Sequence, residues 1–211
     1  MFNLIRIAID NNVISWKAFQ GLQPAIQKDD RMRCDYIAIK RLFELQEQYP
    51  VVLVAVDQVY REASRTSDES KRTKLRETLK LCKEKFYLTR FQTVTSPKGA
   101  AKARGKSGIN LEDGSFWITK DNQRRIDKYI ARGQDEEEKR DLEVLATVAI
   151  AGVRRFVTVD YDLLDNNRIK KFIQQEDGIS IYRPSEILKR LETSHSEVSR
   201  EEYIANNPSD I

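Results

Sequence analysis

Three short runs in this chain are almost entirely apolar, and each ends in an aspartate. They are residues 4–9 (LIRIAI) before Asp10, residues 51–56 (VVLVAV) before Asp57, and residues 156–159 (FVTV) before Asp160. Continuous β-branched runs of this length are typical of strands that are buried on both faces of a parallel sheet. This pattern therefore predicts an α/β protein with three acidic side chains at the carboxyl ends of its strands.

The segments between these runs have the spacing of helices. The pattern predicts helices over residues 30–48, 58–64, 67–86, 169–175 and 184–191, and a last short strand over residues 179–182. Asp57 is expected to cap the helix that follows it. Asp141 is expected to open an Ala-rich helix that stops at Gly152. The alternation predicts a three-layer sandwich with a mainly parallel central sheet.

The length of 211 residues suggests one domain, or one domain with an insertion. We expect a single domain over residues 1–191, with an enlarged helical and basic-loop insertion over residues 65–135. Residues 192–211 are polar and mostly acidic, and are expected to form a flexible tail.

The composition excludes several kinds of site. His195 is the only histidine, and Cys34 and Cys82 are the only cysteines, so zinc-ligand spacing and a disulfide framework are both absent from the sequence. Few cysteines indicate a reducing cytoplasm. The chain has no apolar run long enough to span a membrane and no signal peptide pattern. The net charge of +4 is too small to indicate a nucleic-acid partner without a local cluster of basic residues.

Four acidic residues are expected to meet at one edge of the sheet. Asp10 and Asp160 follow strands, Glu62 lies in the helix after the second strand, and Asp141 opens a helix about as long as the strand that returns to Asp160. Two carboxylates about 4 Å apart repel by roughly 4 kcal/mol at an effective dielectric near 20. Bound cations would relieve this repulsion, and an all-oxygen set of ligands that also includes Asp162 favours Mg²⁺ or Mn²⁺.

These residues, in this order, resemble a PIN domain. The resemblance rests on Asp10 in DNNVI after the first strand, on Glu62, on Asp141 before the Ala-rich helix, and on TVDYDL at residues 158–163. It implies a metal-dependent nuclease, in most such proteins an endoribonuclease that uses metal-activated water, and in many the toxin of a toxin–antitoxin pair. The stretch between Glu62 and Asp141 is longer than in a compact member of that family.

The resemblance also assigns roles to single residues. Asp10, Glu62, Asp141 and Asp160 match the catalytic, metal-binding quartet, and Asp162 matches an auxiliary metal ligand. Asn12 and Thr158 match polar residues that support the quartet. The family implies an RNA substrate, an antitoxin or other protein partner, and leaves a homodimer open.

A basic segment offers contacts to RNA phosphates. Residues 85–106 contain no acidic residue, and the lysines and arginine predicted to bind nucleic acid are Lys98, Lys102, Arg104 and Lys106. A solvated loop is the ordinary explanation for such a run.

Two other functions stay open. One is a PIN-like domain that binds RNA or protein without turnover. The other is a phosphatase that forms an aspartyl-phosphate on Asp10, although such enzymes generally carry a second acid where this chain has Asn12.

Overall fold

The computed structural model describes residues 5–19, 29–48, 50–89, 115–117 and 120–193. Its strands are β1 (Ile5–Ile9), β2 (Val51–Val56), β3 (Glu84–Thr89), β4 (Ser115–Trp117), β5 (Arg155–Val157) and β6 (Ser180–Tyr182). Its helices are α1 (Asn11–Ala18), α2 (Asp30–Gln48), α3 (Asp57–Arg65), α4 (Glu69–Lys80), α5 (Lys120–Ile130), α6 (Glu136–Ile150), α7 (Tyr161–Asp165), α8 (Asn167–Asp177) and α9 (residues 184–193).

The strands form one parallel sheet in the order β4-β3-β2-β1-β5-β6. In β1, Ile7, Ala8 and Ile9 are all fully buried. Because successive side chains of a strand point to opposite faces, consecutive buried residues require cover on both faces. The predicted α/β class and parallel sheet are therefore confirmed, and the burial is compatible with a three-layer sandwich.

The strand order places a crevice next to β1. From β1 the chain moves outward through β2, β3 and β4, and it then returns to the other side of β1 to form β5 and β6. The connections thus leave β1 and β5 in opposite directions, which opens a gap beyond their carboxyl ends. This gap is the usual ligand site of an open parallel sheet.

Helix α6 begins earlier than the sequence predicted. The side chain of Asp135 accepts hydrogen bonds from the backbone N–H groups of Glu137 (3.0 Å) and Glu138 (2.8 Å), and so caps a helix that begins at Glu136, five residues before Asp141. Asp141 therefore lies in the second turn and does not open the helix. The predicted stop is confirmed, since Gly152 has a φ of +68°, a conformation that glycine adopts without strain.

Helix α3 also begins differently. Asp57 was expected to be its N-cap, but Asp57 is the first helical residue and Val56 occupies the cap position without a side-chain hydrogen bond. The strand β2 runs without interruption into the helix, which leaves no separate capping residue between them. The bounds of β2 and α2 are as predicted.

Two strands lie in the segment predicted to be an insertion. Helix α4 ends at Lys80, where the helix over residues 67–86 was expected to continue, and β3 pairs with Val54–Val56 of β2. This pairing gives hydrogen-bond partners to backbone groups of β2 that would be unpaired if β2 were the edge strand of the sheet. β4 then pairs with β3. Residues 98–106, His195 and the tail beyond residue 193 lie outside the described residues.

The remaining predicted elements agree with the structure within a few residues. The helix predicted over residues 169–175 is α8, the strand over residues 179–182 is β6, and the last helix extends to residue 193. Within the described part of the chain, each helix is too short or too polar to cross a bilayer.

Candidate functional site at the carboxyl ends of β1 and β5

Asp10 is fixed at the end of β1 by both its backbone and its side chain. Its backbone N–H donates to the carbonyl oxygen of Val157 (3.0 Å), which extends the pairing of β1 with β5 by one residue. Its Oδ1 accepts from the N–H of Asn11 (2.7 Å), and its Oδ2 accepts from the hydroxyl of Thr158 (2.7 Å). The carboxylate is therefore held in one orientation at the switch point of the sheet.

Asp160 is held by the same threonine and by the helix that follows it. Its backbone N–H donates to Thr158 Oγ1 (2.9 Å). Its Oδ1 accepts from the N–H groups of Asp162 (3.0 Å) and Leu163 (3.2 Å), and so caps α7. Thr158 thus contacts both Asp10 and Asp160, which is the contact that an orienting role requires.

Glu62 reaches the site from α3. Its pKa is raised to about 7, first by burial and then by the negative charge of Asp10. A hydrogen bond from the side chain of Asn11 and the positive charges of Arg65 and Arg140 act in the opposite direction. These effects place Glu62 within electrostatic range of Asp10 and within hydrogen-bonding reach of Asn11.

Asp141 reaches the site from α6, which packs against α3. Its pKa is also raised to about 7, and burial is again the largest cause. The charges of Asp160, Asp10, Glu137 and Glu62 follow in that order. Asp141 therefore interacts with each of the other three predicted acids.

Asp10 completes the set. Burial raises its pKa, and the charge of Asp160 acts in the same direction, while the hydrogen bonds from Thr158, Asn11 and Asn12 lower it. We call Asp10, Glu62, Asp141 and Asp160 the carboxylate cluster. The structure brings together four acids that are distant in the sequence, and it does so at the edge where the strand pattern placed them.

An acidic cavity of about 250 Å³ adjoins one side of the carboxylate cluster. Its walls include both Asp141 and Asp160. The other acidic side chains that line it are Asp135, Glu137, Glu138 and Asp162. Negative potential from this wall adds to that of the cluster, so this side of the site favours cations.

The chemistry of these side chains fits a hard divalent cation. The cluster offers oxygen donors only, and the buried Oδ1 of Asn11, beside Glu62, has no hydrogen-bond partner. Within the described residues, however, no three acidic, cysteine or histidine side chains lie close enough together to hold one ion as they stand. Coordination of one ion by three of these carboxylates would therefore require their side chains to move closer together.

The supporting and auxiliary residues are placed in different ways. The side chain of Asn12 is exposed, and its contact with Asp10 is made by its backbone N–H. Asp162 is exposed as well and lines the acidic cavity. Lys98, Lys102, Arg104 and Lys106 lie outside the described residues.

Several site residues were not predicted from the sequence. Asn11 contacts Glu62, and Arg65, Arg140 and Glu137 lie close enough to the carboxylate cluster to affect its protonation. Arg65 follows Glu62 by three residues, a spacing that places both on one helix face, and this could have been read from the sequence. The positions of Asn11, Arg140 and Glu137 depend on how α1, α3 and α6 pack.

No family model matches this chain, and no curated protein shows significant sequence similarity to it. The fold and the site themselves define a parallel α/β protein with a carboxylate cluster at the switch point of its sheet.

Proposed function

We propose that this protein is a metal-dependent nuclease, and specifically an endoribonuclease that hydrolyses phosphodiester bonds. The observation that carries the proposal is the carboxylate cluster, in which each of Asp10, Glu62 and Asp141 has a raised pKa and an acidic neighbour among its causes. Such a cluster opposes folding at neutral pH unless cations offset its charge. A site that opposes folding in this way is better explained by metal binding than by a purely structural role.

The residues of the site divide into those that would bind metal and those that orient the metal ligands. Asp10, Asp141 and Asp160 would hold Mg²⁺ or Mn²⁺, with Glu62 holding the ion or a water on it. Such an ion supplies activation of water and neutralisation of charge on a phosphodiester. Thr158 and Asn11 orient the carboxylates of Asp10 and Glu62 through their hydrogen bonds.

The resemblance to PIN domains supports RNA as the substrate. The acids stand in the order of that family, with Asp10 directly after β1 and Asp160 three residues after β5 of a parallel sheet. Membership in that family, a role as the toxin of a toxin–antitoxin pair, and a cytoplasmic location are parts of the same proposal.

Cleavage of a mixed RNA pool tests the proposal. Wild-type protein is incubated with Mg²⁺, with Mn²⁺ and with EDTA, and compared with the Asp10→Asn and Asp160→Asn variants. We expect metal-dependent cleavage by the wild type and a loss of at least about 100-fold in each variant, as is common when a metal ligand is removed.

Asp121→Asn is a matched control, because Asp121 is an exposed acid on α5 whose ion pair is with Arg124. It should cleave like the wild type. Equal cleavage by correctly folded Asp10→Asn and Asp160→Asn proteins would sink the proposal.

A domain that binds RNA or protein without turnover is the second candidate. It is favoured by the finding that no three cluster side chains, as placed, are close enough to hold one ion. Calorimetric titration with Mg²⁺ and Mn²⁺ separates the two, since the nuclease requires metal binding that depends on Asp10 and Asp160, and the silent domain does not.

A further inference from the structure

Two arginines on different helices lie at the rim of the carboxylate cluster. Arg65 is on α3, one turn after Glu62, and Arg140 is on α6, directly before Asp141. Both side chains are exposed. The two helices pack against each other, so the two arginines lie on neighbouring elements that border the carboxylate cluster.

Each arginine lies beside one acid of the carboxylate cluster. Arg65 follows Glu62 by three residues on α3, a spacing that places both on one helix face, and Arg140 directly precedes Asp141 on α6. Neither forms one of the ion pairs found among the described residues, in contrast to Arg72, Arg124 and Arg168. Their donors therefore face solvent beside the cluster and are available to a ligand.

We propose that Arg65 and Arg140 bind a backbone phosphate of RNA next to the bond that is cleaved. This inference rests on the proposed nuclease function and names the chain's own contacts to the substrate. A guanidinium group is planar, stays charged and donates two parallel hydrogen bonds, so it suits a phosphate better than other side chains do.

The charge distribution around the site predicts the side from which RNA approaches. The acidic cavity lies on the side of Asp141 and Asp160, and neither arginine is among its lining residues. A polyanion is repelled by that wall and attracted by the two arginines. RNA therefore enters past Arg65 and Arg140, and the acidic cavity takes cations.

A structural role for the same arginines is the competing explanation. If they only offset the charge of Glu62, their removal would lower the free energy of unfolding and leave RNA affinity unchanged. If they bind phosphate, their removal would weaken RNA binding and reduce its dependence on salt, because each phosphate contact releases counterions.

The experiment measures RNA binding without cleavage. A fluorescein-labelled single-stranded RNA of about 12 nucleotides is titrated with Asp10→Asn protein, and anisotropy is followed from 50 to 300 mM KCl. Arg65→Ala and Arg140→Ala, each in the Asp10→Asn background, should weaken binding roughly five- to tenfold at 100 mM salt and reduce the salt slope by about one. Arg65→Lys should restore part of the affinity, since lysine keeps the charge and loses the bidentate contact.

Arg124→Ala in the same background is the matched control. Arg124 is an exposed arginine on α5, paired with Asp121 (3.2 Å), and its removal should leave affinity and salt slope unchanged. Urea unfolding of every variant shows whether an affinity change accompanies a loss of structure. If an alanine variant is destabilised, the RNA affinity and salt slope of Arg65→Lys test the proposal in a folded protein.

The inference is overturned if the Arg65→Ala, Arg140→Ala double variant binds RNA as tightly as its Asp10→Asn parent, or if the parent binds no RNA. Failure of the nuclease proposal gives a different result, namely no metal-dependent cleavage by the wild-type protein. The binding assay does not measure cleavage, so the two failures can be told apart.

Discussion

The hydroxyl of Thr158 donates a hydrogen bond to Asp10 Oδ2 (2.7 Å), and this hydrogen bond joins the ends of β5 and β1. Thr158 Oγ1 also accepts a hydrogen bond from the backbone N–H of Asp160 over 2.9 Å. Thr158 is fully buried, so water does not replace either contact easily. One side chain therefore sets the relative position of two acids that are far apart in the sequence.

Replacing Thr158 with valine should destabilise the protein and the site together. Valine keeps the shape of threonine but leaves Asp10 Oδ2 and the N–H of Asp160 without their partner, which costs about 1–3 kcal/mol in the free energy of unfolding. The pKa of Asp10 should also rise further, since the lost hydrogen bond lowers it. Urea unfolding at pH 7 measures the first effect, and Thr158→Ser, which keeps the hydroxyl, should stay close to wild type.

The raised pKa of Asp141 predicts that the metal-free protein loses stability as pH rises. The ordinary value of 3.8 applies to the unfolded chain, and the folded value is about 7. Between these two pH values the folded state binds the proton and the unfolded state does not, so the free energy of unfolding falls with increasing pH. Asp141→Asn should remove much of this dependence and stabilise the protein by about 1–2 kcal/mol at pH 8, a figure reduced from the full shift for solvent screening.

Urea unfolding in EDTA at pH 5 and pH 8 tests this expectation. Addition of Mg²⁺ at pH 8 should stabilise the wild type more than Asp141→Asn. Parallel pH profiles for the two proteins would contradict the prediction, and Asp121→Asn serves as an exposed control that should follow the wild type.

A buried ion pair stands next to the site and does not belong to the carboxylate cluster. Asp35 on α2 is 0% exposed, and its Oδ2 accepts from Arg183 Nη2 (2.7 Å) and Nε (3.0 Å). Its Oδ1 accepts from the hydroxyl (2.6 Å) and backbone N–H (3.1 Å) of Ser185. The ring of Tyr161, next to Asp160, lies beneath the guanidinium groups of both Arg31 and Arg183.

Arg183→Met should therefore be among the most destabilising single substitutions. It leaves the carboxylate of Asp35 buried without a counter-charge, which typically costs about 3–5 kcal/mol. The double variant Asp35→Leu, Arg183→Met should recover a large part of that loss, since it removes both charges. Arg124→Ala, which breaks an exposed pair, should change the free energy of unfolding by less than about 1 kcal/mol in the same urea titration; a loss as large as that of Arg183→Met would refute the argument from burial.

The elements that could be predicted from the sequence are those whose burial fixes their composition. β1 and β2 are buried on both faces and consist of apolar residues apart from Arg6, so they were predicted nearly to the residue. β3 was missed because Phe86 continues the apolar spacing of Leu79 and Cys82 and so suggested a longer helix. β4 has only three residues, which is too short for any periodicity.

The candidate site could also be predicted only in part from the sequence. Asp10 and Asp160 follow strands, so the rule for parallel sheets placed them together. The first turn of α6 was missed because its residues are nearly all charged and show no apolar face, and only the capping side chain of Asp135 marks its start. Contacts between helices, such as that of Asn11 with Glu62, depend on packing angles that no local pattern contains.

Asn11 and Asn12 should differ sharply in their importance for activity. The side chain of Asn11 donates a hydrogen bond to Glu62, and its Oδ1 is buried without a partner, whereas the side chain of Asn12 is exposed. Asn11→Ala should therefore lower the proposed metal-dependent cleavage about 10- to 100-fold, the range typical for loss of a residue that orients a metal ligand. Asn12→Ala keeps the backbone N–H that contacts Asp10 and should cleave within about twofold of wild type. Both variants are compared in the RNA cleavage assay over a range of Mg²⁺ concentrations, and a larger loss in Asn12→Ala than in Asn11→Ala would show that the exposed asparagine is the one that acts.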